Sequence, residues 1–435
     1  MEDRKIRVAI THGDTNGIGY ELIFKTFAEP EMLELCTPII YGSPKIAAYH
    51  RKAMDMQANF SIINRAEDAQ DGRVNLLTCF DDEVKVELGV PTKESGTAAL
   101  KALDRAMTDF RSQLYDVLVA CPALPTSLST DNYTYNGLKE YAETSIGDGA
   151  KAIRIMINES MRIALATDRL AVKDIAGSLT EEYLLSKIRQ LHTTLKRDFR
   201  LSNPRIGVLA LNPNADGAED NDIIKPAIGK AAEEGINAYG PFAAEKYFGD
   251  NLFDAFDCTL AMYDDQGIIP FNTLMQNDGI YYIASLPMVC TAPALTPNFD
   301  DAGKCVCDES ALRHAIYAAI DIIRHRDEYD EPMANPLPKL YHERRDESEK
   351  VRFSIPKKRE QGKGDRRQQT YSDRKGNAPE RNAHADKQTN GDKPAANEKP
   401  TVSEKPVANE KPAVSEKQQS EGVQTGTAEN TTSAE

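Results

Sequence analysis

The sequence predicts an α/β fold with a largely parallel sheet and a disordered C-terminal tail. Strand-like apolar runs alternate with amphipathic helical segments over roughly the first 330 residues, and chains with this alternation place helices against a parallel sheet. After about Asp330 the alternation ends and the sequence becomes polar. The runs that look like buried strands are short, apolar and bounded by turns or charges: 7–11, 38–41, 117–121, 162–167, 205–211 and 258–263.

The helices between these strands are predicted from their apolar faces. A glycine-rich turn follows the first strand, and a helix is expected over 18–28. A second helix begins near Thr180, with Ser178 or Thr180 as its cap, and carries leucines and isoleucines at helical spacing. A third, capped by Asp308, is expected to close the folded core.

The C-terminal segment 335–435 is predicted to be disordered. A six-residue repeat rich in Pro, Glu, Lys, Ala and Ser fills 395–417, and such a sequence buries too little apolar surface to offset chain entropy. Residues 350–375 carry a net charge of +7, so the rest of the chain carries −22. This basic segment is a candidate for binding an acidic partner, and the alternative is a solvated tail without a partner.

Composition limits the remaining classes of protein. A net charge of −15 argues against a core that binds nucleic acid. The sequence contains no apolar run long enough for a membrane helix and no secretory signal, so no membrane association is expected. Seven cysteines without a CxxC pair favour free thiols in a reducing cytoplasm over a metal knuckle at Cys305 and Cys307.

Six motifs stand in a recognisable order along the core. They are GDTNGIGYE (13–21), GLKE (137–140), RIALATDRLAVKD (162–174), LNPNADG (211–217), GPFAAEKYF (240–248) and LAMYDDQG (260–267). Together they resemble the bacterial 4-hydroxythreonine-4-phosphate dehydrogenase (PdxA) family of vitamin B6 synthesis. The resemblance extends from Arg7 to about Ile323.

The resemblance implies a two-lobed fold like that of isocitrate and isopropylmalate dehydrogenases, with a cleft between the lobes. The core would be 1–330, with lobe 1 at about 1–130 plus 305–330 and lobe 2 at about 131–304. It also implies a homodimer that uses NAD to oxidise a secondary alcohol of a small phosphorylated hydroxy amino acid, after which carbon dioxide is lost. In the family a divalent metal polarises the oxygen that becomes the ketone.

The positions that match the family's three metal-binding histidines hold Arg169, Asn214 and Asp264. A guanidinium has no lone pair for a metal. Oxygen atoms of Asp264, Asp265, Asn214 and Asp168 would suit Mg²⁺ or Mn²⁺ better than Zn²⁺. The favoured alternative is that Arg169 forms a salt bridge with Asp264 or Asp168 where the family has its metal.

The family's substrate positions are also changed. They are occupied by Leu138, Lys139, Asn272, Tyr281 and Cys290. Lys139 can still hold a phosphate as a point charge, whereas Cys290 cannot grip an anion. The candidate catalytic residues are Asp264, Asp265 and Lys139, and no residues for the cofactor are assigned.

Other choices stay open. The loop 13–19 is either a tight turn that needs glycine, which is favoured, or a cradle for a phosphate. His12 beside it is expected to be a polar loop residue rather than an acid–base group. The whole protein is either a dehydrogenase with a divergent site or an inactive relative that serves as a binding or regulatory dimer.

Overall fold

The computed structural model describes residues 4–80, 84–129, 134–146, 149–275 and 277–334. The predicted tail 335–435 and its basic segment lie outside the described residues. The strands are β1 Ile6–Thr11, β2 Cys36–Gly42, β3 Ser61–Ile63, β4 Asn75–Thr78, β5 Val117–Ala120, β6 Ile153–Ile157, β7 Arg162–Leu165, β8 Arg205–Leu209, β9 Asn237–Phe242, β10 Cys258–Ala261, β11 Ile280–Ala284 and β12 Val289–Pro293.

The helices fall mostly between successive strands. They are α1 Gly19–Thr26, α2 Glu31–Leu35, α3 Pro44–Ala53, α4 Lys93–Arg111, α5 Pro125–Leu128, α6 Leu138–Ile146, α7 Val172–Ser178, α8 Glu181–Arg197, α9 Lys225–Glu233, α10 Ala244–Gly249, α11 Asp264–Leu274 and α12 Ser310–Ala334. None of the helices in the described ranges is long and apolar enough to span a bilayer.

All the described strands join one mixed sheet in the order β3-β4-β2-β1-β5-β12-β11-β6-β7-β10-β8-β9. The pairs at both ends are parallel, as alternating strands and helices require. In the middle, β11 pairs antiparallel with both β12 and β6, and β6 pairs antiparallel with β7. The largely parallel α/β sheet predicted from the sequence is therefore confirmed, with an antiparallel centre that was not predicted.

Two predicted N-terminal helix caps, Thr180 and Asp308, are confirmed by hydrogen bonds from backbone amides. Thr180 accepts a hydrogen bond from the Tyr183 amide at the start of α8, at 3.2 Å, and Asp308 accepts one from the Ser310 amide at 2.8 Å. Both are the expected use of a short polar side chain at a helix N-terminus. The α4 helix begins with a reciprocal pair of bonds between Thr92 and Ser95. The alanine-rich face of α4 packs against β1 and β2 of the sheet.

One buried ionic group, the Arg326 cluster, ties α12 to α8 and β11. The Arg326 Nε atom lies 2.8 Å from Asp198 Oδ1, and Nη2 donates to the Tyr282 hydroxyl at 2.8 Å. Nη1 donates to the carbonyls of Leu286 and Pro287, each at 3.0 Å. The Tyr282 hydroxyl in turn donates to Asp198 at 2.5 Å. Burial raises the pKa of Tyr282 well above its ordinary value, so the hydroxyl stays protonated.

All seven cysteines are free thiols, as expected. Four of them are buried in the core: Cys36, Cys121, Cys258 and Cys290. The division of the core into two lobes stays a prediction.

Candidate active site

A cleft of about 320 Å³ opens where several strands end. Thr11, Ala120 and Pro293, the last residues of β1, β5 and β12, line it. The carboxyl ends of parallel strands are the usual place for ligands in α/β sheets, because the loops that follow them are free to carry function. One wall is apolar and includes Leu103 and Leu128.

The glycine-rich loop borders the cleft, and four of its amides are used within the protein. The amides of Asp14, Gly17 and Ile18 donate to the carbonyls of Pro122, Asp14 and Pro297, respectively, at 3.0–3.1 Å. The Asn16 amide donates to Asp14 Oδ1 at 2.9 Å. Since the N–H groups are used within the protein, the loop has the character of a tight turn rather than a phosphate cradle.

Gly13 shows why this turn needs glycine. It has a φ of +73°, and a Cβ atom built on it would lie 2.2 Å from the Pro122 carbonyl oxygen. Any side chain would therefore both strain the backbone and collide with the neighbouring loop.

His12 is fully buried and is not the polar loop residue that the sequence suggested. Its ring stacks on Tyr20 with centroids 5.2 Å apart, and neither ring nitrogen has a hydrogen-bond partner among the described residues. Burial lowers the pKa of His12 to about 4, so the ring is neutral near pH 7.

The polar end of the cleft gathers three cations and two carboxylates. These are Lys139, Arg154, Arg169, Glu140 and Asp168. Asp264, which contacts Arg154, adds a third carboxylate, so the formal charges balance. An anionic ligand would therefore be recognised by direct hydrogen bonds from the guanidinium and ammonium groups rather than by a net positive charge.

Arg154, which the sequence reasoning missed, is the centre of this group. Its Nη2 atom lies 2.8 Å from Asp168 Oδ1 and donates a hydrogen bond to Asp264 Oδ1, also at 2.8 Å. Its guanidinium lies over the Tyr281 ring, 5.6 Å from the centroid. Arg154 belongs to β6, an otherwise apolar strand. A charge in such a strand is costly unless it is paired, and that was the signal available in the sequence.

Arg169 also contacts Asp264, but through its backbone amide and not through the predicted side-chain salt bridge. Its backbone amide donates to Asp264 Oδ2 at 2.6 Å, while its side chain donates to the Asn136 carbonyl. The salt bridge expected between Arg169 and Asp264 or Asp168 is therefore made by Arg154. Gly137 beside Arg169 has a φ of +137°, which favours glycine, and a Cβ atom there would lie 2.9 Å from Arg169 Nη1.

Lys139 lies 3.0 Å from Glu140 Oε1 and 3.5 Å from Asp168 Oδ2. Burial acts to lower the pKa of Lys139, but Asp168 and Glu140 outweigh it, so the pKa lies above its ordinary value. The side chain therefore stays protonated and acts as a fixed positive charge. Leu138 precedes it in the lining of the cleft.

The remaining predicted positions do not all gather here. Asp264 is half-buried, and burial together with Asp168 raises its pKa despite the Arg169 amide and Arg154. Asp265, Asn214 and Asn272 are exposed. Cys290 is buried in the core, where burial raises the pKa of its thiol to about 12.

These residues do not fit a divalent metal. Within the described part of the chain, no three His, Cys, Asp or Glu side chains come together as metal ligands. Arg154 stands between the two carboxylates that could have served, and its positive charge opposes a cation there. The donor set expected for Mg²⁺ or Mn²⁺, Asp264, Asp265, Asn214 and Asp168, is not assembled.

Comparison with known proteins gives consistent matches. A family model described as "Pyridoxal phosphate biosynthetic protein PdxA" matches residues 34–319. A 4-hydroxythreonine-4-phosphate dehydrogenase of Bacteroides thetaiotaomicron is 47% identical over 358 residues, which cover 81% of this chain and 98% of the relative. One from a Sulfurihydrogenibium species is 30% identical over 328 residues, covering 74% and 99%.

Solved structures agree on the fold. A 4-hydroxythreonine-4-phosphate dehydrogenase from Klebsiella pneumoniae has a TM-score of 0.63 at 22% identity and covers 74% of this chain and 99% of its own. One from Burkholderia phymatum has a TM-score of 0.59 at 23% identity, with the same coverage. At this identity the likeness establishes the fold.

Proposed function

The chain belongs to the PdxA family of pyridoxal phosphate biosynthetic proteins, and from this premise we propose that its cleft oxidises a secondary alcohol of a small anionic substrate. The proposed hydride acceptor is a nicotinamide cofactor, NAD. The proposed substrate is 4-phosphohydroxy-L-threonine, after the name of the relative that is 47% identical.

The observation that carries this proposal is the division of the cleft into a polar end with three basic side chains, which is called the cationic end, and an apolar wall. Lys139, Arg154 and Arg169 lie at the cationic end, which suits the phosphate and carboxylate of the substrate. Leu103 and Leu128 lie on the apolar wall, which suits the flat nicotinamide ring. A ligand pocket with an apolar lining and a few convergent polar groups is the usual form of a binding site.

The reaction divides between the cofactor and the chain. A bound nicotinamide would supply the acceptor for the hydride of the carbinol carbon, and the apolar wall with Leu103 and Leu128 would hold it. We assign to Asp168, which lines the cleft between Lys139 and Arg154, the acceptance of the hydroxyl proton as the C–O bond becomes a ketone. Breaking the bond to the carboxylate then releases carbon dioxide, and the electron pair moves to the ketone oxygen, where the cations stabilise the enolate.

The direct test is the appearance of NADH when the purified protein is mixed with 4-phosphohydroxy-L-threonine and NAD. Lys139→Met should raise KM about tenfold or more, because it removes a fixed charge from the anion site. Lys151→Met is the matched control, since Lys151 is exposed outside the cleft, and it should leave KM unchanged. Absence of NADH or NADPH formation under all conditions would overturn the proposal.

The second candidate function is a catalytically inactive relative that binds a small anion. It is favoured by the ion pairs of Arg154, which tie up Asp168 and Asp264. It predicts that the substrate raises the melting temperature while no turnover occurs. In either case we propose that the protein is a homodimer, as the family resemblance implies, and light scattering on the eluting protein would test this.

A further inference from the structure

We propose that the guanidinium of Arg154, rather than a divalent metal ion, supplies the positive charge that polarises the reacting oxygen in this cleft. The inference rests on the proposed function, because it assigns the electrophile of that reaction. According to this proposal, the oxidation of the alcohol needs no metal ion.

The first argument is position. Arg154 is paired with Ile283 in the β6–β11 ladder, so it shares the face of the sheet that carries Tyr281 two residues away. Its guanidinium lies over the Tyr281 ring and contacts the two carboxylates. Contacts on several sides fix the orientation of the planar group, as a preorganised electrophile requires.

The second argument is that the carboxylates are already occupied. Asp264 accepts from Arg154 through Oδ1 and from the Arg169 amide through Oδ2. Asp168 is held by ion pairs, with Oδ1 2.8 Å from Arg154 and Oδ2 3.5 Å from Lys139, although Oδ1 accepts no hydrogen bond within the described structure. A metal ion would have to displace these donors and would then sit beside three cations. The same oxygens that could ligate a metal instead hold an arginine.

The third argument is the unused donor capacity of Arg154. Its Nε atom is buried and has no hydrogen-bond partner within the described structure. Both carboxylate contacts of the guanidinium are made through Nη2, and the side chain lines the cleft. The five N–H donors of an arginine therefore leave capacity for a ligand oxygen. The substrate hydroxyl, which becomes the ketone and then the enolate oxygen, is the acceptor that the cleft admits.

Metal binding gives a test that does not depend on turnover. The purified wild-type protein is analysed for bound metal and titrated with Mn²⁺ and Zn²⁺ by calorimetry. We expect no stoichiometric metal and no heat of specific binding. Arg154→Leu frees Asp168 and Asp264, so this variant should gain Mn²⁺ affinity and a higher melting temperature in Mn²⁺. Stoichiometric binding of Mn²⁺ or Zn²⁺ in the cleft of the wild-type protein would overturn the inference.

Turnover gives the second test. Wild-type activity should persist in excess EDTA, and Arg154→Leu should lower kcat about a hundredfold or more. Arg154→Lys keeps the charge and should retain part of kcat. The matched control is Arg162→Leu, because Arg162 begins the neighbouring strand and packs over Phe199 outside the cleft; it should keep wild-type kcat. Circular dichroism shows whether each variant folds.

The two proposals fail in different ways. Activity that is lost in EDTA and restored by a metal would overturn the role of Arg154 and leave the dehydrogenase function intact. No turnover under any condition would overturn the proposed function and with it the electrophilic role, while metal analysis would still decide whether the cleft excludes metal.

Discussion

Two arginines of this protein are paired with carboxylates in different ways. In the Arg326 cluster, Arg326 is 2% exposed and its partners include a carboxylate, a hydroxyl and two carbonyls. In the cleft, Arg154 pairs with Asp168 and Asp264, but its Nε atom has no hydrogen-bond partner among the described residues. The donors of Arg326 are all used within the protein, whereas Arg154 lines a cavity with part of its donors unused. Full pairing favours a role in stability, and a cation at the wall of a cavity favours a role in binding.

The largest expected effect on stability comes from Arg326→Met. The change leaves Asp198 buried without its cation, so the free energy of unfolding should fall by about 3–5 kcal/mol. Arg324→Met, on an exposed position of the same helix, should stay within about 0.5 kcal/mol of the wild type. Chemical denaturation measures both. A smaller loss of unfolding free energy for Arg326→Met than for Arg154→Met would contradict the assignment of Arg326 to stability and of Arg154 to binding.

His12 can be compared with Arg326, because it is also a buried basic group, but its ring has no hydrogen-bond partner among the described residues. Its folded pKa of about 4 lies below the ordinary 6.5. The unfolded chain therefore binds more protons between these values, and stability is lost as the pH falls from 6.5 towards 4. The loss attributable to this group approaches about 3 kcal/mol.

His12→Leu should remove that part of the pH dependence, because leucine has no titrating group. Unfolding free energies measured between pH 7 and pH 4.5 test this. Identical pH profiles for the variant and the wild type would contradict the assignment.

A smaller effect is expected from Gly137→Ala at the cleft. Gly137 has a φ of +137°, and an added Cβ would press on the Arg169 guanidinium. We expect a loss of about 1–2 kcal/mol in unfolding free energy from backbone strain, together with weaker substrate binding as Arg169 moves. Gly177→Ala, where an added Cβ meets nothing within 4 Å, is the control. Unchanged KM for Gly137→Ala would argue against a role of Arg169 in binding.

The smallest effect is expected from Arg197→Ala. Arg197 and Asp330 join the same two helices, α8 and α12, as the Arg326 cluster does, but their side chains are 32% and 49% exposed. Solvent screening leaves such a pair worth about 0.5 kcal/mol or less. Comparing the melting temperatures of Arg197→Ala and Arg326→Met separates the contribution of an exposed ion pair from that of a buried one between the same two helices. Equal losses would show that burial is not what distinguishes them.

Much of the fold could be predicted because local signals agreed with the final packing. The apolar runs predicted as strands all became strands, and Thr180 and Asp308 sit at the helix starts. The family assignment is also confirmed. The antiparallel centre was missed because pairing direction depends on distant segments, here β6 and β11, which lie more than a hundred residues apart.

The cleft was predicted less completely, for a physical reason. Motif comparison identified Arg169 and Asp264 as changed, but it said nothing of Arg154, which belongs to no matched motif. The pairing of Arg154 with Asp168 and Asp264 exists only once β6 and β7 are adjacent and α11 begins beside them. Arg169 contributes through its backbone amide, and a side-chain argument cannot anticipate that contact.

The contacts of Arg154 with two carboxylates have a consequence for how the cleft obtains its positive charge. A metalloenzyme leaves the ribosome incomplete and depends on the cell's stock of the right ion. A guanidinium is made with the chain, so every folded copy carries its charge from the moment of synthesis. If Arg154 is the electrophile, cells deprived of transition metals should keep the full activity of this protein, and contaminating ions should not inhibit it by occupying the wrong site.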